Sequence, residues 1–467
     1  MPHEAAIRER CGPWSEYFCP CAARSAPLRL SVKWILLVHG IAAVFAIVWM
    51  IDAAIRGHRR EKRAADFLRL HAAVEGPPTL HPIIDPEICI GSGACVRACP
   101  EDRALVLVNG KGRLAQAAGC VGHGDCLRAC PVGAITLTFG SAQRGVDLPE
   151  VDAAFESSQK GLYIAGELGG MGLIATAVRQ GVKAVTAIHD SLRDAPSDDT
   201  LPLLIVGSGP AGIAAMLEAH RLGLRARWIE KEQSLGGSVR GYPRGKVVMT
   251  TPVDLPIYGR VHLRRTTKAA LIELWTDVLA RGDITPEYGI AVTGVATQGD
   301  ALVVSTTRGP IRARRVLLAT GRRGRPRQLA VPGEELAHVH HHLDDPMDHD
   351  HTRIVVVGGG DVAVEAALAL AERPGTHVTL CHRGDKFDRA KPALQTRLAE
   401  TTAVTVLRRA EIDAIDAAQV VVRTAGGPQT ITADKVFVLI GSDLPADLLA
   451  ASGIRVQTHR GDVAVAV

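Results

Sequence analysis

The sequence is poor in aromatic residues, in net charge and in evenly spread cysteine. Phe, Trp and Tyr make up 4% of the 467 residues and the formal net charge is only +5, which argues against a nucleic-acid surface with stacking rings on a basic face. Ten cysteines are too few to cross-link so long a chain by disulfides, and the clustering of six of them in one short stretch suggests metal binding. Because 47% of the residues are hydrophobic and no low-complexity tract is present, we expect a folded, multidomain chain.

One apolar stretch near the N-terminus carries no formal charge. It runs from Trp34 to Ile51, and a helix of that length measures roughly 27 Å, close to the thickness of a bilayer core. Basic residues are denser after it than before it, so the C-terminal flank is expected in the cytoplasm. The sequence predicts a tail at 1–31, a single transmembrane helix at 32–55 and a basic juxtamembrane helix with a linker at 56–80. The chain would then sit in the cytoplasmic membrane with Cys11, Cys19 and Cys21 outside, where a disulfide can form.

A cysteine-rich segment repeats itself with an offset of 31 residues. The matched positions are Cys89, Ser92, Cys95 and Cys99 in the first copy and Cys120, His123, Cys126 and Cys130 in the second. Each copy ends in Cys-Pro, and the spacing resembles that of bacterial two-cluster ferredoxins, where the fourth Cys of each run ligates the other cluster. The resemblance implies an α+β ferredoxin-like domain at 81–142 with two iron–sulfur clusters.

The second ligand position of each copy departs from the ferredoxin pattern, because it holds Ser92 in one copy and His123 in the other. The resemblance would assign one cluster to Cys89, Ser92, Cys95 and Cys130, and the other to Cys120, His123, Cys126 and Cys99. Ser and His can both ligate iron, giving a 4Fe-4S centre of altered potential, or a 3Fe-4S centre where they hold it weakly. The alternative is a domain that kept the ferredoxin fold and lost its clusters.

A first glycine turn, with Gly207, Gly209 and Gly212, follows an apolar run at 201–206. Such a G-x-G-x-x-G turn brings a pyrophosphate to a helix N-terminus, and Glu230, after the next strand, can accept ribose hydroxyls. Further matching positions are Gly236, Gly237, Thr320 and Gly321. Together they resemble the FAD domain of thioredoxin-reductase-like flavoproteins. The resemblance implies an α/β, Rossmann-like FAD domain at 196–332, to which the chain returns at 442–467.

A second glycine turn, with Gly358, Gly360 and Ala363, follows the strand 353–357. The next strand ends in His382 and Arg383, where an NAD site often has a carboxylate. An acid would repel a 2′-phosphate, whereas Arg383 can pair with it. The sequence therefore predicts a second Rossmann-like domain at 333–441 that prefers NADPH to NADH.

Thioredoxin reductases proper carry a Cys-x-x-Cys just before the second glycine turn, but this chain has a His-rich segment at 338–351 there. We interpret that segment as a solvated loop in preference to a metal site. The chain is similar to bacillithiol-disulfide-reductase-like relatives in two respects: it lacks the dithiol, and it contains Gly241-Tyr242-Pro243.

The family ends with a segment of the form G-[IVL]-[FY]-x-A-G-[DE] that returns to the flavin, and the C-terminus here lacks it. A matching stretch, Gly161 to Glu167, lies instead before the first glycine turn. The resemblance implies that 143–195 is the relocated C-terminal segment of the FAD domain, with Gly166 and Glu167 at the flavin. The strand 162–165 should then join the sheet containing 203–206, and the chain end at 463–467 should lie near 147–157. The alternative is a spacer that merely looks similar.

Taken together, the motifs predict a membrane-anchored oxidoreductase that passes electrons between NADPH, FAD and iron–sulfur clusters, with flavin-centred chemistry and no catalytic side chain. Its partner would be an unidentified redox protein or small acceptor and not a nucleic acid, and an oligomer is compatible with the sequence. One rival is a small-disulfide reductase acting directly at the flavin. Another is a non-catalytic redox sensor or electron-transfer subunit.

Overall fold

The computed structural model describes residues 32–71, 80–101, 103–141, 145–170, 172–194, 196, 198–242, 247–249, 252–261, 265–322, 324 and 326–464. The chain divides into two compact units, 1–63 and 64–467. The three cysteines of the predicted tail, Cys11, Cys19 and Cys21, lie outside the described residues.

The first unit consists, where it is described, of a single helix, α1, which spans Val32–His71 and so continues into the second unit. Large apolar side chains along it are exposed, among them Trp34, Phe45 and Trp49 at 60%, 72% and 67%. Among the described residues, one helical stretch, His39–Arg69, is long and apolar enough to cross a membrane, and a signal sequence can share these properties. The predicted transmembrane and juxtamembrane helices are thus one continuous helix.

The second unit opens with the ferredoxin-like part. Its strands and helices are β1 His81–Ile84, α2 Ala94–Ala98, β2 Leu105–Val108, β3 Lys111–Leu114, α3 Asp125–Ala129 and β4 Ile135–Phe139. Strands β1 and β4 pair antiparallel with His81 opposite Thr138, and β2 and β3 form a hairpin. Each short helix follows a left-handed glycine, Gly93 at φ 68° or Gly124 at φ 75°, which lets the chain turn sharply after the preceding ligand position.

The next segment leads into the first Rossmann-like domain. Its elements are β5 Val146–Pro149, β6 Leu162–Ile164, α4 Ile174–Ser191, β7 Leu201–Val206, α5 Pro210–Arg221 and β8 Ala226–Ile229. Smaller strands and a helix follow: β9 Val247–Met249, β10 Val253–Leu255, β11 Gly259–Val261, β12 Arg265–Thr267 and α6 Lys268–Arg281. The domain continues with β13 Val292–Gln298, β14 Ala301–Thr306 and β15 Ile311–Leu318.

The main sheet of this domain has the order β13-β14-β15-β7-β8. Strands β15, β7 and β8 are parallel, and their C-terminal ends are apolar and buried, as expected for strands covered on both faces. Strand β6 pairs parallel with the second half of β15, with Leu162 opposite Val316. This pairing confirms that the stretch predicted at 162–165 belongs to the sheet that contains 203–206.

The second Rossmann-like domain comes next. Its elements are β16 Val339–His340, β17 Arg353–Val357, α7 Asp361–Ala371, β18 His377–His382, α8 Pro392–Glu400 and β19 Val404–Arg408, then β20 Glu411–Ile415, β21 Gln419–Thr424, β22 Gly427–Thr432 and β23 Lys435–Val438. The parallel sheet has the order β16-β23-β17-β18-β19, and β20, β21 and β22 form a separate antiparallel sheet. Its core is built from apolar residues of the strands and of α7.

The end of the chain returns to the earlier parts of the fold. Its elements are α9 Ala446–Ala451, β24 Val456–His459 and β25 Asp462–Val463. Strand β24 pairs with β5, so that Val456 lies opposite Pro149; residues 456–459 thus make the approach predicted for 463–467, whereas Val463 pairs with Thr138 of β4. Strand β25 pairs with β4 and completes the ferredoxin-like sheet, a contact that the sequence did not predict.

Candidate functional site

Two cavities in the ferredoxin-like part collect the eight predicted ligand positions in the two expected sets. The serine-side cavity contains Cys89, Ser92, Cys95 and Cys130 in its wall. The histidine-side cavity contains Cys99, Cys120, His123 and Cys126 in its wall. With their open mouths they measure about 300 Å³ and about 350 Å³. The fold therefore exchanges the fourth cysteine between the runs, as the ferredoxin resemblance implies.

The serine-side cavity offers hydrogen bonds to thiolate sulfur. The backbone N–H of Gly112 donates to Cys89 Sγ at 3.5 Å, and the N–H of Ala134 donates to Cys130 Sγ at 3.3 Å. The Gly112 and Gly91 amides, together with Lys111 and Arg113, lower the pKa of Cys89 despite some desolvation. Amides and cations of this kind stabilise a thiolate and tune an iron–sulfur centre.

The histidine-side cavity holds its thiols in a drier setting. Burial raises the pKa of Cys120 to about 12 and that of Cys126 to about 11, with smaller contributions from neighbouring cysteines. Burial also lowers the pKa of His123, although Glu101 lies 4.0 Å away and opposes the shift. Buried thiolates need a cation nearby, and a neutral imidazole is the form that binds metal. The donor set thus fits an iron–sulfur centre.

Glycines bring the backbone close around the first cysteine run. Gly91 has φ 72°, and a Cβ there would overlap the carbonyl oxygen of Gly110. Every cysteine of the two runs is free of disulfides. In the described part of the chain, no three His, Cys, Asp or Glu side chains converge on a single metal ion.

The first glycine turn has the close backbone approach that a dinucleotide needs. Gly207 has φ 106° and leads from β7 into the turn, and a Cβ on Gly212 would overlap the carbonyl oxygen of Gly207. Gly236, at φ 115°, and Gly237 come next to it: a Cβ on Gly237 would lie 3.0 Å from Gly209 Cα. Helix α5 begins at Pro210, so its N-terminus points at the turn.

Glu230 is 5% exposed at the end of β8 and is already hydrogen-bonded within the protein. Its Oε2 accepts from the Ser208 backbone N–H at 2.6 Å and from Ser208 Oγ at 2.8 Å. Its Oε1 accepts the N–H of Glu232 at 3.0 Å. A carboxylate can accept about four hydrogen bonds, so the side chain fixes the turn and retains capacity for a ribose hydroxyl.

The stretch at Gly166 and Glu167 lies against the first glycine turn. A Cβ on Gly166, at φ 85°, would lie 3.0 Å from Ala211 Cβ in the first turn of α5. The Gly166 N–H donates to Gln180 Oε1 on α4 at 2.9 Å. Sequence reasoning missed Gln180, because a lone glutamine within an amphipathic helix carries no distinctive signal.

Two more predicted positions, Thr320 and Gly321, come one residue after the end of β15, the strand that pairs with both β6 and β7. A Cβ on Gly321 would lie 3.7 Å from Ser238 Oγ, beside the Gly236–Gly237 pair. Burial lowers the pKa of the neighbouring Arg322, and the Glu167 carboxylate opposes that shift. The structure thus brings the predicted positions around the first turn together, including Glu167 from the earlier segment.

The second glycine turn is built in the same way around β17 and α7. A Cβ on Gly358, at φ 151°, would lie 2.5 Å from the Leu439 carbonyl oxygen, and Ala363 is fully buried. The His382 ring packs where a Cβ on Gly359 would be and stacks on Phe387 with centroids 4.7 Å apart. Arg383 next to it is exposed, where it can meet a bound phosphate.

Asp361 was not among the predicted positions. Its Oδ1 accepts the backbone N–H of Lys391 at 2.6 Å, and Gly360 forms a bridge with Arg389. These contacts tie the loop after β18 to the second turn. The residue alone gave no signal, since an aspartate in the first turn of a helix is common.

The His-rich segment is not simply solvated, so that interpretation was wrong in part. His349 is 8% exposed, and the rings of His340 and His349 each lie 5.3 Å from the ring of Phe437. Lys435 Nζ lies 3.1 Å from His349 Nδ1. The face of a histidine ring is apolar enough to pack against β23 in this way. A hydropathy scale treats histidine as polar and therefore does not predict this burial.

Comparison with known proteins fits these two halves of the site. Residues 204–464, more than half of the chain, match the pyridine nucleotide-disulphide oxidoreductase family, and residues 81–131 match the 4Fe-4S dicluster domain. The chain belongs to the pyridine nucleotide-disulphide oxidoreductase family. It is a flavin-dependent NAD(P)H oxidoreductase, with FAD and NADPH as cofactors and a fused dicluster domain for two iron–sulfur clusters.

Several relatives of this oxidoreductase are similar over most of their own length. The ferredoxin–NADP reductase of Ignicoccus hospitalis is 30% identical over 270 residues, which cover 56% of this chain and 83% of the relative. The bacilliredoxin reductase Bdr of Bacillus subtilis is 26% identical over 268 residues, covering 55% of this chain and 82% of the relative. The structure of bacillithiol disulfide reductase Bdr from Staphylococcus aureus covers 54% of this chain and 80% of its own, with 24% identity and a TM-score of 0.48.

Proposed function

We propose that this chain is a membrane-anchored flavoprotein that transfers electrons between NADPH, FAD and two iron–sulfur centres. The observation that carries the proposal is the pair of cavities, each gathering the four ligand positions predicted for one cluster, in a chain that also folds two dinucleotide turns. A flavin accepts a hydride from nicotinamide and can release its electrons singly, which is the form that iron–sulfur centres carry.

The chain's own residues would hold and tune these groups. The first glycine turn and Glu230 would bind the FAD pyrophosphate and ribose, and the second turn with His382 and Arg383 would bind NADPH. Six cysteines, Ser92 and His123 would hold the clusters. The serine and histidine would make at least one centre unlike an all-cysteine 4Fe-4S cluster, either as 3Fe-4S or with an altered potential.

We further propose that 143–195 is the relocated end of the FAD domain, so that Glu167 faces the ribityl chain of the flavin. The position of Gly166 against Ala211 and the pairing of β6 with β15 support this. Helix α4 begins nearby at Ile174, and its N-terminal partial positive charge would stabilise negative charge on a reduced flavin. The pairing of β24 with β5 supports the relocation as well, since it brings 456–459 beside the start of this segment.

The length and apolar surface of α1 support anchoring in the cytoplasmic membrane as a single span. The basic residues after Ile51 favour redox domains on the cytoplasmic side. The outside partner would be a redox protein or a small acceptor. Ferredoxin–NADP reductases among the relatives favour a one-electron protein partner.

A second candidate function is reduction of a small disulfide directly at the flavin, which the similarity to the bacilliredoxin reductase favours. A redox sensor without turnover is a third. The disulfide reductase would place the dicluster domain outside the catalytic path, whereas the sensor would have no catalytic path.

Steady-state oxidation of NADPH by the anaerobically purified full chain separates these functions. We expect rapid turnover with a one-electron acceptor such as cytochrome c, and loss of most of it in a Cys126→Ala variant. The variant Cys381→Ala, which changes a buried cysteine outside both cavities, is the matched control and should keep the unaltered rate. Turnover with low-molecular-weight disulfides alone would favour the second candidate, and no turnover with any acceptor would favour the sensor.

A further inference from the structure

Residues of strand β4 line both cysteine cavities, and its last residue contacts the segment 143–195, which is proposed to lie at the flavin. Ile135 lines the serine-side cavity and Leu137 lines the histidine-side cavity. The ring of Phe139, two residues further, has its Cε1 atom 3.0 Å from the place where a Cβ on Gly170 would lie. Alternate residues of a strand share a face and are about 7 Å apart. The order along β4 is therefore serine-side cavity, histidine-side cavity and Gly170.

Gly170 closes the 3-10 turn Glu167–Gly169, four residues before α4. Leu148 of β5 also packs there, with both Cδ atoms 2.9 Å from the Cβ position of Gly170. Helix α3, which carries Cys126, lies near α4 as well: desolvation and Arg128 lower the pKa of Arg179, and Asp125 opposes them. The histidine-side cavity is thus the one on the side of α4 and Glu167.

The two cavities differ in how far their walls are exposed. At the serine-side cavity Ile90 is 65% exposed and Val132 is 39% exposed, and Ser92 is exposed as well. Of the residues that line the histidine-side cavity, all of which the structure describes, only Pro100 is exposed. A centre at the surface can exchange electrons with an outside protein, whereas an enclosed centre needs a relay.

We propose that the two centres act in series: the histidine-side centre exchanges electrons with the flavin, and the serine-side centre exchanges them with the outside partner. This order rests on the proposed function and deepens it. With the groups bound, one NADPH would lose a hydride and become NADP⁺, and the two electrons of the hydride would pass singly along the series. Two one-electron acceptor proteins are each reduced by one electron, and one proton is released to the solvent.

Rapid mixing of the anaerobic, reconstituted full chain with NADPH, with freeze-quenched samples examined by paramagnetic resonance, tests this order. In Cys126→Ala, which lacks the histidine-side centre, the serine-side centre should be reduced by NADPH at least about tenfold more slowly, a change of about 1.4 kcal/mol in activation free energy. Dithionite should still reduce it, which shows that it is assembled. In Cys95→Ala, the histidine-side centre should still be reduced in the first phase, while reduction of cytochrome c falls by a similar factor.

A second pair of variants, His123→Cys and Ser92→Cys, is expected to keep both centres and serves if Cys126→Ala or Cys95→Ala fails to fold. Replacing imidazole by thiolate should lower the potential of the histidine-side centre, as the Rieske comparison indicates. His123→Cys should therefore slow the reduction of the serine-side centre, whose own ligands are unchanged, whereas Ser92→Cys should leave the histidine-side rate as it was. If NADPH reduces the serine-side centre at the unaltered rate in Cys126→Ala or His123→Cys, the order of the two centres is wrong, while the proposed function still stands. Failure of NADPH to reduce either centre contradicts the proposed function itself.

Discussion

At the scale of single residues, glycines set how closely the backbone can wrap the serine-side centre. Gly91 and Gly110 both have left-handed backbones, at φ 72° and φ 66°. They differ in their surroundings, because a Cβ on Gly91 would overlap the Gly110 carbonyl oxygen while a Cβ on Gly110 would meet open space. The two positions separate steric fit from backbone strain.

We predict that Gly91→Ala will cost about 2–4 kcal/mol in the free energy of unfolding, since strain and overpacking add, and will lose iron from the serine-side centre. Gly110→Ala should cost only about 1 kcal/mol, from strain alone, and keep its iron. Urea unfolding with iron analysis measures both. Equal losses in the two variants would show that the close approach at Gly91 is unimportant.

Arg383 is the residue on which coenzyme choice depends in the proposed site. Replacing it by Gln should raise the KM for NADPH about tenfold, because a charge-assisted hydrogen bond is worth about 1.5–3 kcal/mol, and should hardly change the KM for NADH. The control is Arg423→Gln, which changes an exposed arginine of β21 that pairs with Glu411 of β20. Similar effects of Arg383→Gln on both coenzymes would reject the role assigned to it.

Single residues were predictable where a motif fixed their chemistry. The ferredoxin resemblance implied two sets for the six cysteines, Ser92 and His123, and the cavities collect these sets. His349 could not be placed, because its burial depends on Phe437, which is 88 residues away in sequence and reaches it only through the sheet.

At the scale of elements, helices α4 and α5 meet where Gly181 faces the first turn of α5. A Cβ on Gly181 would overlap the carbonyl oxygen of Ala211, so only glycine allows this approach. The contact holds the segment containing Glu167 against the first glycine turn.

Gly181→Ala should therefore destabilise the chain by about 1–3 kcal/mol and weaken retention of FAD, because the helices must separate at the turn. Lys183→Ala, exposed on the same helix, should change stability by less than about 0.5 kcal/mol. Thermal unfolding and flavin content after gel filtration measure the two effects. Unchanged flavin retention in Gly181→Ala would separate α4 from the flavin site.

Elements with a strong local pattern were predictable to within a few residues. The apolar runs before the two glycine turns form β7 and β17 at the expected positions. Helix α4 begins at Ile174, because Gly170 before it has φ 93° and Leu173 is extended. Strand β25 had no local signal, because its partner β4 is more than three hundred residues earlier.

At the scale of the whole molecule, the chain end ties the ferredoxin-like part to the oxidoreductase. Strand β24 pairs with β5, β25 pairs with β4, and the Arg455 backbone N–H donates to Ser158 Oγ at 2.8 Å. The dicluster domain is thus not a simple N-terminal appendage.

Deletion of residues 456–467 should speed hydrogen exchange over 135–149 and reduce iron retention, because β4 and β5 lose partner strands. The control Gln457→Ala, an exposed side chain on β24 that leaves backbone pairing intact, should change neither. Unchanged exchange after the deletion would contradict a structural role for the chain end.

Electron sharing between nicotinamide, flavin and the two centres is tested most directly by one titration. The reconstituted full chain is titrated anaerobically with NADPH while flavin absorbance and the paramagnetic resonance of the clusters are followed together. We expect the flavin to bleach and signals from reduced centres to rise in the same titration, and a chain freed of iron by chelation to show bleaching alone. Bleaching of the flavin while both centres stay oxidised, although dithionite reduces them, would contradict the electron-transfer function.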